Sequence, residues 1–431
     1  MILSASASPG IRRLVFIVNM LAATATLLYL WTILGEAKPS TSIAHSVTSS
    51  HSTTSTQTPS STPTSDLGSF ALAKVLDDAS PVFGQYQDRE TKTSTWMKAY
   101  PDSISLVQMN IPGTHDSATW NYSLATQQSL THITNLVQDT EANPDFYRCQ
   151  DKSFIDMLND GIRAFDLRYA YDVTNSTLVF WHGPGLQSET ATVDDVLFGY
   201  YQWLNDHPSE VVFLSFQYEG STSRLSSNDK GVQQLLFNAL TSPAAKQYIK
   251  QDNTLGTLGS ARGKIVLLRR FDLALLPTSY TAQLPGLHFS PSDWTDNGPN
   301  ITLIYDAETE SRAWIEDYYS PETAVNSTAE ENIRYKLNAT VDHLKLATSD
   351  AHPDDLFWSF ASSTNIGNDP PDTPRMQALG NGSVTPKGGV NDQLLPVLKQ
   401  WEGKRLGIVL FDFYEQPEGL LETFLGLLPP P

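Results

Sequence analysis

Short apolar runs recur between helical patterns along most of the chain, and this alternation constrains the fold more than any other feature. The clearest runs are 162–169, 211–218, 264–271, 301–305, 356–361 and 407–413, and 106–111 and 178–181 bring the count to eight. They are largely continuous rather than alternating, each ending near polar or charged residues, as expected of strands buried on both faces of a parallel sheet. Thr192-Val193-Asp194-Asp195 reads as a capping box, after which Val193, Val196, Leu197, Tyr200, Tyr201 and Leu204 recur at helical spacing and lead into the run at Val211. Ser153 to Asp156 is a second such box, with a break at Gly161 before the Ile162 run. Helix-then-strand units of this kind predict an α/β fold with a parallel sheet, either a TIM-barrel-like (β/α)8 arrangement or a doubly wound open sheet, because periodicity alone does not show closure.

The first 66 residues read differently. Residues 14–34 form a stretch of 21 without charge, long enough to cross a bilayer core of about 30 Å. Arg12 and Arg13 precede it, which predicts a cytoplasmic N-terminus at 1–13 and an outward-facing remainder. The apolar region of a cleaved signal peptide is shorter, about 7 to 15 residues, so a retained signal anchor is expected over a secreted product. Residues 35–66 are rich in Ser, Thr and Pro and read as a stalk of the composition that carries O-linked sugars. Six N-x-Ser/Thr sequons follow, at Asn121, Asn175, Asn300, Asn326, Asn338 and Asn381. The globular domain is then 67–431.

With a net charge of −19, the chain is a poor partner for nucleic acid or an anionic membrane surface, so any phosphate must be met by locally placed cations. The single cysteine, Cys149, excludes an intramolecular disulfide and reads as an inert buried thiol.

Catalytic groups of a barrel project from strand C-terminal ends. There, Ile111-Pro112-Gly113-Thr114-His115-Asp116-Ser117 closes one run, Phe165-Asp166-Leu167-Arg168 lies in the next, Trp181-His182-Gly183-Pro184 closes a third, and Leu410-Phe411-Asp412-Phe413 the last. Two histidines, three carboxylates and an arginine are the ingredients of an acid/base pair with an anion clamp. Singly, each has a structural reading: Asp166 and Arg168, two apart on a strand, could be no more than a buried ion pair.

The motif at 111–117, with Gly161-Ile162-Arg163-Ala164-Phe165-Asp166-Leu167-Arg168 and His182-Gly183, resembles the X region of bacterial-type phosphatidylinositol-specific phospholipases C. His207-Pro208-Ser209-Glu210, the Arg262 to Arg270 run and the Asp412 strand extend the likeness over about 95–415. The resemblance implies a PLC-like phosphodiesterase barrel using two histidines and neither metal nor other cofactor. His115 would be the general base, oriented by Asp412; His182 would be the general acid, supported by Asp116; Arg168 would hold the phosphate, with Asp166 fixing its geometry. Related calcium-dependent enzymes place a metal ligand where Arg168 stands, and a guanidinium cannot coordinate calcium.

By motif position the headgroup site would comprise Arg270, Trp294 and Asp306. Gln217 stands where many members have lysine, and Glu308 where an aromatic residue is expected, so the headgroup stays open. The expected partner is a phospholipid or glycolipid, met at the membrane that the N-terminal anchor enters. Two alternatives belong to other classes: a catalytically silent surface or wall-binding barrel, and a metal-dependent glycerophosphodiester phosphodiesterase.

Overall fold

The computed structural model describes residues 66–137, 143–220, 222 and 227–430. The expected cytoplasmic segment, anchor and stalk lie outside the described residues, apart from Asp66, which caps the helix Leu67–Phe83. Among the described residues no helix is long and apolar enough to cross a membrane.

Eleven strands form the sheet: β1 Ile111–Thr114, β2 Ala164–Tyr171, β3 Leu178–His182, β4 Gly185–Leu186, β5 Val211–Tyr218, β6 Lys264–Arg270, β7 Leu287–His288, β8 Ile301–Asp306, β9 Ser311–Glu316, β10 Leu356–Phe360 and β11 Ile408–Phe411. Their order is β7-β6-β5-β2-β1-β11-β10-β9-β8. From β7 to β9 every pairing is parallel, whereas β8 folds back antiparallel on β9. Among the described residues no ladder joins β7 to β8, so the result is a nearly closed barrel of mixed strands rather than a regular (β/α)8 barrel.

Several expected strands need correction. Residues 106–108 form a single 3-10 turn, and the strand begins only at Ile111. The 178–181 run is not a wall strand; as β3 it pairs antiparallel with β2, a hairpin standing off the barrel. Two wall strands had no apolar run to announce them, because β7 is two residues long and β9 carries Ser311, Arg312 and Glu316.

The uniformly apolar strands are explained by two core layers. Val211, Phe213, Val266, Leu268, Ile408 and Leu410 meet in the barrel interior. Their neighbours Val212, Leu214, Ile265, Leu267, Val409 and Phe411 pack outward against the helices. The helix Val193–Asp206 belongs to that outer layer, with the capping box of Thr192 and Asp195 formed and Val193, Val196, Leu197, Tyr200, Tyr201 and Leu204 buried. The helix Phe154–Asp160 starts on Ser153 and ends at Gly161, whose φ of 115° suits glycine.

Below the sheet, at the strands' N-terminal ends, Arg163 and Glu210 form a fully buried pair 2.7 Å apart. Arg163 also donates to the carbonyls of Thr93, Ser94, Leu158 and Ile162, tying the chain before β1 to the entries of β2 and β5. This clamp leaves the opposite rim for polar groups.

Candidate active site

Strand parity selects what reaches that rim. Interior residues recur every second position, so the series Gly113, Ala164, Phe213, Leu268, Ile315, Trp358 and Leu410 continues upward into His115, Asp166 and Arg168, Gln217, Arg270, Asp317, Phe360 and Asp412. The sequence-predicted catalytic residues His115, His182, Arg168, Asp166, Asp116 and Asp412 are brought together here.

His115 follows β1, where its backbone N–H donates to the Phe411 carbonyl at 3.1 Å. Its Nδ1 lies 2.9 Å from Asp412 Oδ1, and Nε2 lies 2.8 Å from a terminal nitrogen of Arg168. Burial, reinforced by the Arg168 charge, holds the His115 pKa well below the ordinary imidazole value. Gln150 donates to the carbonyls of both His115 and Phe411, at 2.8 Å each, and so fixes the two strand ends that carry His115 and Asp412.

His182 arrives from the other side on the β3 hairpin. Its Nδ1 is 2.9 Å from the Tyr147 carbonyl, which only accepts, so Nδ1 carries a proton. Nε2 faces Asp116 Oδ2 at 3.2 Å. The two imidazole centroids are 6.4 Å apart and their planes are nearly perpendicular. Asp116 adopts a left-handed backbone conformation, φ 41°, that aspartate tolerates better than most residues. That turn lets its N–H donate to Asp166 Oδ2 at 3.2 Å while its carboxylate points at His182. Burial raises the Asp116 pKa to about 6 despite the opposing pull of Arg168.

Arg168, which contacts His115, is ringed by Asp116 at 3.3 Å, Asp166 at 3.3 Å and Glu219 at 3.9 Å. Its burial disfavours charge, but these carboxylates outweigh burial and push its pKa up. Glu219, which sequence reasoning missed, also accepts from the Gly183 N–H at 2.8 Å and so joins the end of β5 to the His182 turn. Its position two residues beyond Gln217 was the available signal. Beneath the imidazoles, the buried Cys149 Sγ is 4.0 Å from His182 Nδ1.

A cavity of about 790 Å³ opens above these groups and is lined by His115, Arg168, His182, Gln217, Arg270 and Trp294 among others. Arg270 lies over the Trp294 ring, 3.6 Å from its centroid, and Trp294 Nε1 donates to Asp317 Oδ2 at 2.7 Å. Arg270 approaches the same oxygen at 3.5 Å. The acid of this group is therefore Asp317, not Asp306. On β8 the interior residues are Ile301, Leu303 and Tyr305, so Asp306 falls on the wrong parity and instead caps its own turn, accepting from Glu308 N–H at 2.9 Å. Asp306 and Glu308 are absent from the cavity wall, whereas Asp317 and Tyr319 line it.

Residues 128–271 match the family model of the phosphatidylinositol-specific phospholipase C X domain, a span that holds Arg168, His182 and Arg270 but begins after His115. A 1-phosphatidylinositol phosphodiesterase of Staphylococcus aureus (strain Newman) is 23% identical over 324 residues, covering 74% of this chain and 87% of that protein. One of Listeria monocytogenes is 28% identical over 180 residues, 41% of this chain and 48% of that protein. A solved double mutant of the S. aureus phosphatidylinositol-specific phospholipase C has a TM-score of 0.57 at 17% identity, covering 78% of this chain and 96% of that one. The L. monocytogenes enzyme has a TM-score of 0.52 at 21% identity, covering 77% and 97%. In its X-domain sequence match and its barrel fold, the chain is similar to the phosphatidylinositol-specific phospholipases C.

Proposed function

We propose that this chain cleaves the phosphodiester of a phosphatidylinositol-like lipid or lipid-linked glycan by general acid/base catalysis without a metal. The observation that carries this reading is the convergence of two imidazoles in different settings, His115 against Asp412 and Arg168 and His182 against the Tyr147 carbonyl and Asp116, with Asp116 also paired to Arg168. His115 Nε2 takes the proton of the headgroup hydroxyl next to phosphorus, and that oxygen attacks the phosphorus. The bond to the glycerol oxygen breaks, and the leaving alkoxide takes the Nε2 proton of His182. The products are a cyclic phosphodiester and a diacylglycerol. Arg168 neutralises the charge that gathers on the phosphoryl oxygens. Arg270, Trp294, Asp317 and Gln217 form the headgroup wall, where an aromatic face and hydrogen-bonding groups suit a ring polyol.

Metal independence is supported by Arg168 itself, whose fixed positive charge fills the space between Asp116, Asp166 and Glu219 where a hard cation would need those oxygens. The intact acid/base pair favours an enzyme over a silent binding barrel. An outward-facing domain on an N-terminal anchor is in keeping with exposure of all six sequon asparagines.

The test is turnover of phosphatidylinositol by the purified full chain, with and without excess chelator. Chelator-resistant release of a cyclic inositol phosphate is expected. Activity abolished by chelator would sink the metal-free mechanism, and absence of turnover would sink the inositol-lipid assignment.

A further inference from the structure

Cys149 takes no part in the proposed reaction, yet it sits under its centre. One donor atom each from His115, Cys149 and Asp412 lie within 4.8 Å of one another, and all three residues are buried. Asp412 is held to His115 through Oδ1 alone; Oδ2 is buried and has no hydrogen-bond partner. The sulfur is equally close to a second group, since Asp116, Cys149 and His182 meet the same limit. Cys149 comes from the loop before the helix Phe154–Asp160 and is anchored there by its own backbone: its N–H donates to Thr119 Oγ1 and its carbonyl accepts from Phe413 N–H.

We propose that His115, Cys149 and Asp412 form an inhibitory site for a borderline-soft divalent cation of the zinc class; its regulatory meaning rests on the function proposed above. A thiolate, an imidazole and a carboxylate are a donor set that zinc or cadmium takes and that calcium and magnesium, which prefer oxygen, do not. With metal–ligand bonds of about 2.0 to 2.3 Å, tetrahedral donors stand roughly 3.3 to 3.7 Å apart, so closure needs shifts of about an ångström.

The chemistry explains the inhibition. The thiol proton leaves to solvent as the sulfur becomes a ligand. Coordination through Nδ1, the nitrogen facing Asp412, moves the imidazole proton to Nε2, and the Arg168 guanidinium, which only donates, must then turn away from it. Nε2 then has no lone pair for the substrate hydroxyl, and Asp412 no longer orients the ring. A site that would stabilise a catalytic metal in another enzyme here removes the base.

Because the chain has one cysteine, the wild-type protein reports on the site without a variant. The purified full chain is titrated with Cd²⁺ while the ultraviolet thiolate-to-metal absorption is followed, and the His115 ring is followed by NMR during titration with Zn²⁺. One equivalent is expected to produce the absorption and shift the His115 ring, while Ca²⁺ and Mg²⁺ do neither. Zn²⁺ is expected to lower phosphatidylinositol turnover about a hundredfold or more, the scale of losing a general base, and Cys149→Ser to remove the absorption and most of the inhibition. No absorption at saturating Cd²⁺, or absorption with an unmoved His115 ring, overturns the proposal. A chain inert toward phosphatidylinositol before any metal is added defeats the proposed function instead, and the two spectroscopic readings still decide the site.

Discussion

Arg168 donates a hydrogen bond to Nε2 of His115 at 2.8 Å, and because a guanidinium has only donors, this contact fixes the imidazole tautomer. Nε2 must present a lone pair, so Nδ1 carries the proton and donates it to Asp412. With burial, the arginine thus favours the neutral imidazole and occupies the place to which, in the proposed reaction, the substrate hydroxyl must come. Arg168→Lys is expected to lower kcat/KM by at least about a hundredfold, since an ammonium cannot make the same fork of contacts. Arg168→Ala should in addition raise the His115 pKa toward its ordinary value, seen by NMR titration of the ring. An unmoved His115 titration would separate Arg168 from the base.

The acid limb of activity should follow Asp116. With a pKa of about 6, it takes up a proton as pH falls and stops pairing with His182 and Arg168. kcat/KM is expected to decline below about pH 6, although His115 itself stays neutral there. The same shift predicts stability of opposite sign. Because the folded pKa lies above the ordinary 3.8, the contribution of Asp116 to stability is fully present below 3.8 and is lost as pH rises through about 6. Between pH 4 and pH 7 the wild type should therefore lose up to about 3 kcal/mol relative to Asp116→Asn, as measured by denaturant unfolding of both at each pH.

Headgroup recognition separates Asp317 from Asp306. Asp317→Asn weakens the charge-assisted contacts to Arg270 and Trp294, worth about 1.5 to 3 kcal/mol, and should reduce kcat/KM roughly ten- to a hundredfold, mainly through KM. Asp306→Ala, on the outward parity of β8, should change it by no more than about twofold. Steady-state kinetics on phosphatidylinositol vesicles with both variants would expose an error if the two effects were reversed.

Two substitutions away from the reacting groups test the scaffold. A Cβ at Gly113 would stand 2.7 Å from the Ala164 carbonyl oxygen and 2.8 Å from the Ala164 Cβ, so β1 and β2 must part. Gly113→Ala is expected to cost about 1 to 3 kcal/mol and to displace His115, lowering kcat as well as stability.

Arg163→Met leaves Glu210 as an unpaired buried charge and orphans the Thr93, Ser94, Leu158 and Ile162 carbonyls. A loss of about 3 to 5 kcal/mol is expected in thermal or denaturant unfolding. A near-neutral effect would show that this pair is not what ties β2 to β5.

The sequence alone determined which polar residues stand at the strand ends, because they are written in local patterns. Continuous apolar runs demand burial on both faces, and within each run the two-residue period decides which side chains continue the interior series. His115, Asp166, Arg168 and Asp412 were legible as polar residues at the ends of those runs, Arg270 by motif position, and the helix starts at Ser153 and Thr192 by their capping boxes. What only the tertiary structure decided were relations between segments far apart in the chain. That β3 leaves the barrel as a hairpin and brings His182 to Asp116 depends on pairing with β2, since an isolated apolar run does not disclose the direction of its partner. That β9 is a wall strand depends on burial supplied by its neighbours, because Ser311, Arg312 and Glu316 mask its period. The buried Glu316 is met by Lys336, 2.6 Å away, and by Thr340, both on the helix Ala329–Ala347. With β9 unseen, the acid was sought on β8, where motif position pointed to Asp306; the burial of Ile301, Leu303 and Tyr305 leaves Asp306 on the other face of that strand, and Asp317, just past β9, lines the cavity instead.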